Sequence, residues 1–562
     1  MSMSRVLTGA FALAVLVVTM TASGVFWLGK RAEPLYAGEV SLAGLAAPVF
    51  VRFGPHAVPS ISADSVDDLL HAQGYVVASE RLWQMDLLRR LAGGRLAEVF
   101  GEAALSADRF YRTMGLPLAA REAYAALEPR YRRMLERYAD GVNAYRRAAL
   151  ERPPLEYLIA GFEPAPWAPE DSLVIGEYMA WINSVNLREE LIFLRLAGRL
   201  GNRLALELFP ADVGLPAPAQ AAQLPDYRAL AAGVAISDAT LGLAARLPVR
   251  AAPAPGIGAS TVWAVNGPRG EGGNALLAND PHLAPSTPGI WYELELDAPG
   301  YHAAGVALPG VPLVLIGHNQ DLAWGMTTVT ADTQDLFLER MTPEGDGVLR
   351  AGGGSEPVQR RSEQIPVKGR AEPVELIIQR TSHGVLIDDL VRAHGANPEG
   401  LAAVALRERL ALRRNLDLPD RALVGLWRLG TATTGDEARA AGAELRHVSQ
   451  NLVIAHRGGS IGWQVTGSLP QRGRGSGTFP MPGWEQGYGW NGYLPFSANP
   501  GVTNPAAHQL VNANNRSVPE DGPVQIGNSW LPPYRAHRIE ELLAGSAVMT
   551  AEQFAQMQAD RE

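Results

Sequence analysis

The chain has 562 residues, of which 47% are hydrophobic and 19% charged, with a formal net charge of −9 and no cysteine. This composition is typical of a globular protein of roughly three or four domains and excludes an intrinsically disordered chain. The mild negative charge argues against nucleic acid as the main partner, and the absence of cysteine excludes disulfides, thiolate metal sites and cysteine nucleophiles.

An uncharged run at residues 6–29 lies between Arg5 and the basic pair Lys30 and Arg31. As a helix it would reach about 36 Å, enough to cross a bilayer. It is longer than the ~7–15 apolar residues of an ordinary secretory signal. We therefore predict that residues 1–31 direct export and that the protein is periplasmic and anchored to the inner membrane by residues 6–29. A cleaved signal peptide is the alternative.

Residues 32–212 predict a mainly helical region after short strand-like segments. Ser65 has the position of a helix N-cap, and the apolar residues that follow recur at helical spacing as far as Leu91. Further helical patterns run over residues 119–149 and 169–200. Residues 213–259 are rich in Pro and Ala, which is typical of a linker or an excised spacer. Composition alone does not separate these two.

Residues 260–562 predict a β-rich region. Strand patterns occupy residues 261–265, 275–278 and 292–296, and a hairpin is predicted from 451–454 and 461–466. The turn of that hairpin contains a Gly-x-Ser-x-Gly match centred on Ser460. A nucleophile elbow needs a helix after its serine, whereas a strand pattern follows Ser460. We therefore interpret Ser460 as a turn residue.

An ordered set of residues on both sides of the spacer carries a family resemblance. The first part has Gly74, Tyr75, Ala78, Arg81, Gln84, Gly94, Arg95, Leu96, Ala97, Glu98 and Gly101. The second part has Gly258, Ser260, Trp263, Asn279, Asp280, Pro281, His282, Trp324, Gly325, Asn451, Gly462, Pro470, Arg472, Asn514, Asn515 and Arg516. With these residues the chain resembles the penicillin acylase family of N-terminal-nucleophile hydrolases, which includes cephalosporin acylases and acyl-homoserine lactone acylases.

The resemblance implies an α+β fold with four αββα layers, in which a mainly helical first chain and a β-rich second chain form a heterodimer. It also implies that the chain cuts itself between Ala259 and Ser260. Serine is a weak nucleophile at neutral pH. Once Ser260 is a chain terminus, its α-amino group, with a reference pKa of about 7.7–8.0, can take the hydroxyl proton.

The remaining site residues also come from the resemblance. Acyl transfer needs donors for an oxyanion, here the backbone N–H of Thr328 and the side-chain amide of Asn451, which Arg472 would orient. His282 is expected beside the nucleophile. Met179, Ile182, Asn183 and Leu283 are expected to line the acyl pocket, although Met179 and Leu283 also suit an ordinary core.

A structural Ca²⁺ site is implied at Glu189, Asp332, Gln334 and Asp335, since hard oxygen ligands from both chains suit this ion. His456 stands where relatives usually have Asp, and its effect stays open. No organic cofactor is expected.

These residues predict a self-processing amidohydrolase that cleaves the linear amide of an acylated amine, such as the side chain of a β-lactam antibiotic. Two alternatives remain: an acyl-homoserine lactone acylase of the same fold, and an unprocessed relative that binds acyl amides without turnover. Relatives usually extend a couple of hundred residues further, so we expect that the second chain is truncated.

Overall fold

The computed structural model of the chain describes residues 3–31, 33–184, 186–208, 224–228, 259–283, 286–388, 408–519, 524, 526–527 and 530–561. Most of the predicted spacer at 213–259 lies outside these residues.

The segment before the spacer is mainly helical, as predicted, and a short β-hairpin separates its first helix from the others. The hairpin strands are β1 (Phe50–Phe53) and β2 (Pro59–Ser62). The helices are α1 (Met3–Arg31), α2 (Val66–Ala92), α3 (Ala97–Phe100), α4 (Leu105–Thr113), α5 (Leu116–Ala126), α6 (Pro129–Glu151), α7 (Leu155–Ala160), α8 (Pro169–Asn183), α9 (Leu187–Leu200) and α10 (Asn202–Leu208). Among the described residues, no helix combines the length and apolar character needed to cross a membrane.

The side chain of Ser65 caps α2 as predicted, because its oxygen accepts a 3.1 Å hydrogen bond from the backbone N–H of Asp68. Both longer helical patterns are interrupted, however. The first breaks at Glu128, which is extended before Pro129, as residues preceding proline tend to be. The second breaks before α9, where Asn186 has a left-handed φ of 88°.

Helices α2 and α6 pack at very short range through two glycines. A Cβ at Gly74 would come within 2.2 Å of the carbonyl oxygen of Tyr138, and one at Gly141 within 1.9 Å of that of His71. Both distances are far below ordinary van der Waals contact, so this helix pair requires glycine at both positions.

The segment after the spacer is rich in strands, as predicted. Its strands are β3 (Ala259–Val265), β4 (Leu276–His282), β5 (Tyr292–Ala298), β6 (Tyr301–Ala307), β7 (Ile316–His318), β8 (Leu322–Thr328), β9 (Gln334–Arg340), β10 (Gly347–Leu349), β11 (Ser355–Pro357), β12 (Gln359–Ile365), β13 (Val374–Thr381), β14 (Gly384–Leu386), β15 (Glu408–Arg414), β16 (Gln450–His456), β17 (Ile461–Val465), β18 (Pro470–Arg472), β19 (Met481–Pro482), β20 (Trp490–Tyr493), β21 (Gly501–Thr503) and β22 (Gln509–Asn512). Its helices are α11 (Ala422–Thr431), α12 (Gly435–Ala441), α13 (Tyr534–Ala544) and α14 (Ala551–Gln558).

Three of the sheets position the site. The largest has nine strands in the order β1-β2-β5-β6-β7-β8-β16-β17-β21. A six-stranded sheet has the order β12-β13-β14-β15-β9-β19, and a three-stranded sheet has the order β22-β3-β4. Parallel pairing of β2 with β5 joins the segment before the spacer to the segment after it.

The nine-stranded sheet is buried on both faces at its strand β16, where alternate residues pack on opposite sides. Leu452 and Ile454 pack into a core with helices α2, α6, α11 and α12, while Val453 and Ala455 pack against Val262 and Ala264 of β3. Beyond β3, Trp263 and Val265 pack against residues of α13 and α14. The protein therefore combines helices with sheet in an α+β fold.

Candidate active site

Ser260, the predicted nucleophile, is the second residue of β3 and is 7% exposed. Its backbone nitrogen donates a 2.7 Å hydrogen bond to Oδ1 of Asn514. Its carbonyl oxygen accepts a 2.8 Å hydrogen bond from Nη1 of Arg535. Both backbone polar groups of Ser260 are therefore held by side chains from the C-terminal part of the chain.

Asn514 is the centre of this arrangement. Its Oδ1 also accepts a 3.0 Å hydrogen bond from Nη2 of Arg535, and its Nδ2 donates a 3.0 Å hydrogen bond to the carbonyl oxygen of Thr328. The backbone of Asn514 is left-handed, with φ of 62°, a conformation that asparagine tolerates better than most residues. Burial lowers the pKa of Arg535 from its usual value.

Thr328 ends β8 and pairs with Gln450 of β16. The structure thus brings the predicted oxyanion residue to Ser260 through a single shared side chain, that of Asn514.

Asn451, the other predicted oxyanion donor, uses its side chain differently. Its Nδ2 donates to Oγ1 of Thr327 and to Oδ1 of Asn512, each at 3.1 Å, and its Oδ1 accepts from Nε1 of Trp463 at 2.9 Å. The residue is fully buried. This geometry links strands of the nine-stranded sheet to β22.

The prediction that Arg472 orients Asn451 is wrong. The guanidinium of Arg472 instead binds Asp335, with Nη2 to Oδ1 at 2.8 Å and Nε to Oδ2 at 2.9 Å. Nη2 also lies 3.0 Å from Oδ1 of Asp332. A buried guanidinium is held by the nearest carboxylates, and here those are two of the predicted metal ligands.

His282 lies at the end of β4, opposite Ala259 in the register of β3 and β4. Its Nε2 is 2.7 Å from Oδ2 of Asp280, and the side chain is exposed. The predicted histidine is therefore adjacent to the predicted cleavage position, and a carboxylate fixes its ring.

The predicted pocket residues do not behave alike. Met179 and Ile182 are half-buried and pack against a core cluster that includes Phe110, Trp181 and Leu187. Asn183 directs its Oδ1 to Thr328, at 2.6 Å from Oγ1. Leu283 follows β4 and is half-buried.

Of the predicted metal ligands, Asp332, Gln334 and Asp335 are buried. The third carboxylate of this region is that of Glu190, which is fully buried and accepts hydrogen bonds from the backbone N–H of Leu336 at 3.1 and 3.3 Å. Glu189 is only half-buried. Of these two neighbouring glutamates, Glu190 is therefore the one buried with Asp332 and Asp335.

This region brings three buried carboxyl groups together with the guanidinium of Arg472. Burial, followed by the charges of Asp335 and Asp332, raises the pKa of Glu190 well above its usual range. Burial does the same for Asp332, against the opposing effect of Arg472. Among the described residues, Oδ2 of Asp332 is buried and has no hydrogen-bond partner. The donor chemistry fits a hard cation such as Ca²⁺, with Glu190 in place of Glu189.

The carboxylates are nevertheless not arranged as a ready-made cage. Across the described parts of the chain, no group of three or more His, Cys, Asp or Glu side chains could hold a metal ion as placed. Asp335 is also occupied by Nε1 of Trp490, at 2.5 Å from Oδ2.

Asn514 and Arg535 are the site residues that the sequence did not assign. Asn514 was within a family-like motif, but its contact with Ser260 joins positions 254 residues apart. Sequence patterns over neighbouring residues do not predict a contact across this distance in the chain.

Ser460 is a turn residue, as predicted. Its carbonyl oxygen accepts from the N–H of His456, and strand β17 follows directly. His456 itself ends β16, and its Nε2 lies 3.1 Å from the carbonyl oxygen of Thr433.

The strand that carries Ser260 lies between the nine-stranded sheet and the C-terminal helices, and comparison with known proteins gives the family of the chain. Residues 48–562 match the family model described as penicillin amidase. The chain belongs to the penicillin amidase family.

Curated relatives agree with this assignment. The chain is 36% identical over 547 residues to acyl-homoserine lactone acylase QuiP of Pseudomonas aeruginosa, covering 95% of this chain and 63% of that protein. It is 33% identical to penicillin acylase 2 proenzyme of Pseudomonas sp. strain SE83, covering 94% of this chain and 66% of the relative. It is 28% identical to penicillin G acylase of Escherichia coli, covering 89% and 63%. The chain thus spans less than two thirds of the length of these relatives.

Proposed function

We propose that the protein is a self-processing amidohydrolase, with the four-layer αββα fold of N-terminal-nucleophile hydrolases, that cleaves linear amides through an acyl-enzyme on Ser260. Family membership supports the reaction class. The observation that carries the assignment of Ser260 is its backbone nitrogen, which is buried and held by Asn514. After cleavage the same hydrogen bond would orient the free amine that serves as the base.

Processing needs no second protein. Oγ of Ser260 attacks the carbonyl carbon of Ala259, an O–C bond forms, and the C–N bond to Ser260 breaks, so the acyl group moves from nitrogen to oxygen. Water then hydrolyses the ester, which leaves a carboxylate on Ala259 and a free amine on Ser260.

In the processed protein the amine of Ser260 takes the proton of its own hydroxyl, and Oγ attacks the substrate carbonyl. The proton passes to the leaving amine, and water releases the acid from the ester. The guanidinium of Arg535, bonded to Oδ1 of Asn514 and to the carbonyl oxygen of Ser260, disfavours a protonated amine beside it. This helps to keep the amine in its basic form.

Two acyl amides are candidate substrates: the amide side chain of a β-lactam and the amide of an acyl-homoserine lactone. The second is favoured by the relative of higher identity, at 36% against 33% and 28%. Half-buried Met179 and Ile182 offer the aliphatic surface that such an acyl chain needs. Mass-spectrometric assay of both amides with one preparation distinguishes them.

Intact mass and N-terminal sequencing of the expressed protein test the proposal. A fragment beginning at Ser260, absent from the Ser260→Ala variant, is expected. An uncut, inactive wild-type chain would instead identify the non-catalytic relative. A Ser460→Ala variant serves as the matched control and should be cut and active, since Ser460 is a turn residue.

We also propose a structural Ca²⁺ held by Glu190, Asp332 and Asp335, supported by the burial of these three carboxyl groups beside the guanidinium of Arg472. We propose export through residues 1–31, supported by the uncharged run at 6–29. Fractionation of cells that express the chain with and without residues 1–31 tests the location.

A further inference from the structure

We propose that Asn183 is a positioning residue that fixes the Thr328 peptide, rather than a group that lines the acyl pocket. The inference rests on the proposed function, in which the backbone N–H of Thr328 stabilises the oxyanion.

The contacts of Asn183 leave its amide in one orientation. Nδ2 donates a 2.8 Å hydrogen bond to the carbonyl oxygen of Met179, which can only accept. Oδ1 must therefore face the other way, where it accepts from Oγ1 of Thr328 at 2.6 Å and from Nε2 of Gln450 at 3.2 Å. A carbonyl oxygen has two lone pairs. Both are used, so Asn183 has no acceptor left for a substrate.

Thr328 is consequently held on two sides. Its hydroxyl is tied to Asn183 at the end of α8, and its carbonyl oxygen accepts from Nδ2 of Asn514. The chain leaves the sheet immediately afterwards, and Thr330 has a left-handed φ of 51°. At this strand end the hydrogen bond to Asn183 adds to the pairing of Thr328 with Gln450, and together they orient the peptide that carries the Thr328 N–H.

Orientation matters because an oxyanion donor acts only when its N–H is already aimed at the developing charge. A misplacement of about 1 Å in a catalytic group can lower a rate about 100-fold. The hydrogen bond between Asn183 and Thr328 also connects the two future chains, because Asn183 precedes the predicted cleavage position and Thr328 follows it. The first chain would therefore tune the catalytic geometry of the second without touching the reacting atoms.

The decisive experiment compares Thr328→Val, which replaces the hydroxyl by a methyl group of similar size, with Thr328→Ser, which keeps the hydroxyl. Asn183→Ala removes the partner. Ser184→Ala is the matched control, because among the described residues the hydroxyl of Ser184 bonds the carbonyl oxygen of Ala180 in α8. Each variant is assayed for self-cleavage rate, kcat and KM on one acyl amide, and melting temperature.

We expect Thr328→Val and Asn183→Ala to lower kcat about 10- to 100-fold with KM changed less than about 3-fold. Thr328→Ser should recover most of that loss, and the double variant should be no worse than the poorer single variant. A folded but slowly cleaving variant also supports the tether, since processing needs the same donor.

A raised KM with unchanged kcat in Asn183→Ala would overturn the inference and show that Asn183 lines the acyl pocket. Wild-type kcat in Thr328→Val would overturn it as well, and this isosteric variant answers the question if Asn183→Ala does not fold. Failure of the proposed function is distinct, because wild-type protein would then be uncut and inactive.

Discussion

Oδ1 of Asn514 lies 2.7 Å from the backbone nitrogen of Ser260 and also accepts a hydrogen bond from Arg535. Asn451, the asparagine expected from the family resemblance, is bonded to Thr327, Asn512 and Trp463. The two asparagines should therefore respond differently to substitution.

Asn514→Ala should slow self-cleavage and amide hydrolysis about 100- to 1,000-fold while the chain stays folded, as expected for the loss of a preorganised polar group at an acyl-transfer centre. Asn451→Ala should instead reduce the free energy of unfolding by about 1–3 kcal/mol, because it leaves buried partners unsatisfied. Timed mass spectrometry and urea unfolding measure the two effects. The reverse pattern would show that Asn451 is the catalytic amide.

Glu190→Gln should abolish the effect of calcium on stability, whereas Glu189→Gln should leave it intact. Only Glu190 is buried with Asp332 and Asp335. The measurement is the melting temperature of the full chain in excess chelator and after Ca²⁺ is restored. We expect a rise of several degrees on adding Ca²⁺ to the wild type and to Glu189→Gln. If the wild type melts identically with and without Ca²⁺, the charge of the cluster is balanced by Arg472 and protons alone.

The stability of the protein should fall as the pH rises from about 6.5 to about 9. Nδ1 of His447 lies 2.8 Å from Oε1 of Glu177, and Nε2 lies 2.7 Å from the carbonyl oxygen of Leu418. Burial opposes the charge of His447, but Glu177, with help from Asp420, raises the pKa to about 9, from 6.5.

A histidine whose pKa is higher in the folded than in the unfolded state contributes its full stability below the unfolded pKa. That contribution is lost as the pH rises through the folded pKa. The window is therefore from about 6.5 to about 9, and the expected loss is on the order of 1–3 kcal/mol. Urea unfolding across this range measures it. His447→Gln should be less stable at pH 7 and should show a flatter dependence; an unchanged slope would contradict the assignment to His447.

Gly74→Ala should destabilise the protein by about 1–3 kcal/mol or more, because the new methyl group would overlap the Tyr138 carbonyl oxygen. Gly176→Ala is the matched control within α8, since a Cβ there meets nothing within 4 Å. This variant should gain about 0.5–1 kcal/mol from helix propensity. Equal effects of the two variants on the urea midpoint would exclude close packing as the reason for Gly74.

The sequence predicts local structure that residues close together in the chain determine. The cap at Ser65, the strand that carries Ser260 and the hairpin around Ser460 depend on periodicity and turn residues a few positions apart, and the structure contains all three. The break between α5 and α6 could have been placed more closely from Pro129, which starts the second helix.

The sequence does not predict side-chain contacts that depend on which face of a helix is buried or on residues far apart in the chain. A helix turns about 100° per residue, so neighbouring Glu189 and Glu190 face different surroundings, and only the structure shows that Glu190 is the one buried with Asp332 and Asp335. Arg472 and Asn451 have the residue types that a family pattern requires, but only the packed sheet shows which carboxylate or hydroxyl each one contacts.

Parallel pairing of β2 with β5 gives a cut between Ala259 and Ser260 a thermodynamic consequence. Ser60, Ile61 and Ser62 pair with Glu295, Leu296 and Asp297 within the nine-stranded sheet, so the two products of a cut would stay paired with each other. Before the cut, folding is a unimolecular reaction. After it, an unfolded molecule is two separate polymers that must find each other again, and their association loses translational and rotational freedom. A processed molecule that unfolds in dilute solution would therefore refold at a rate that depends on its concentration, while the Ser260→Ala chain would not.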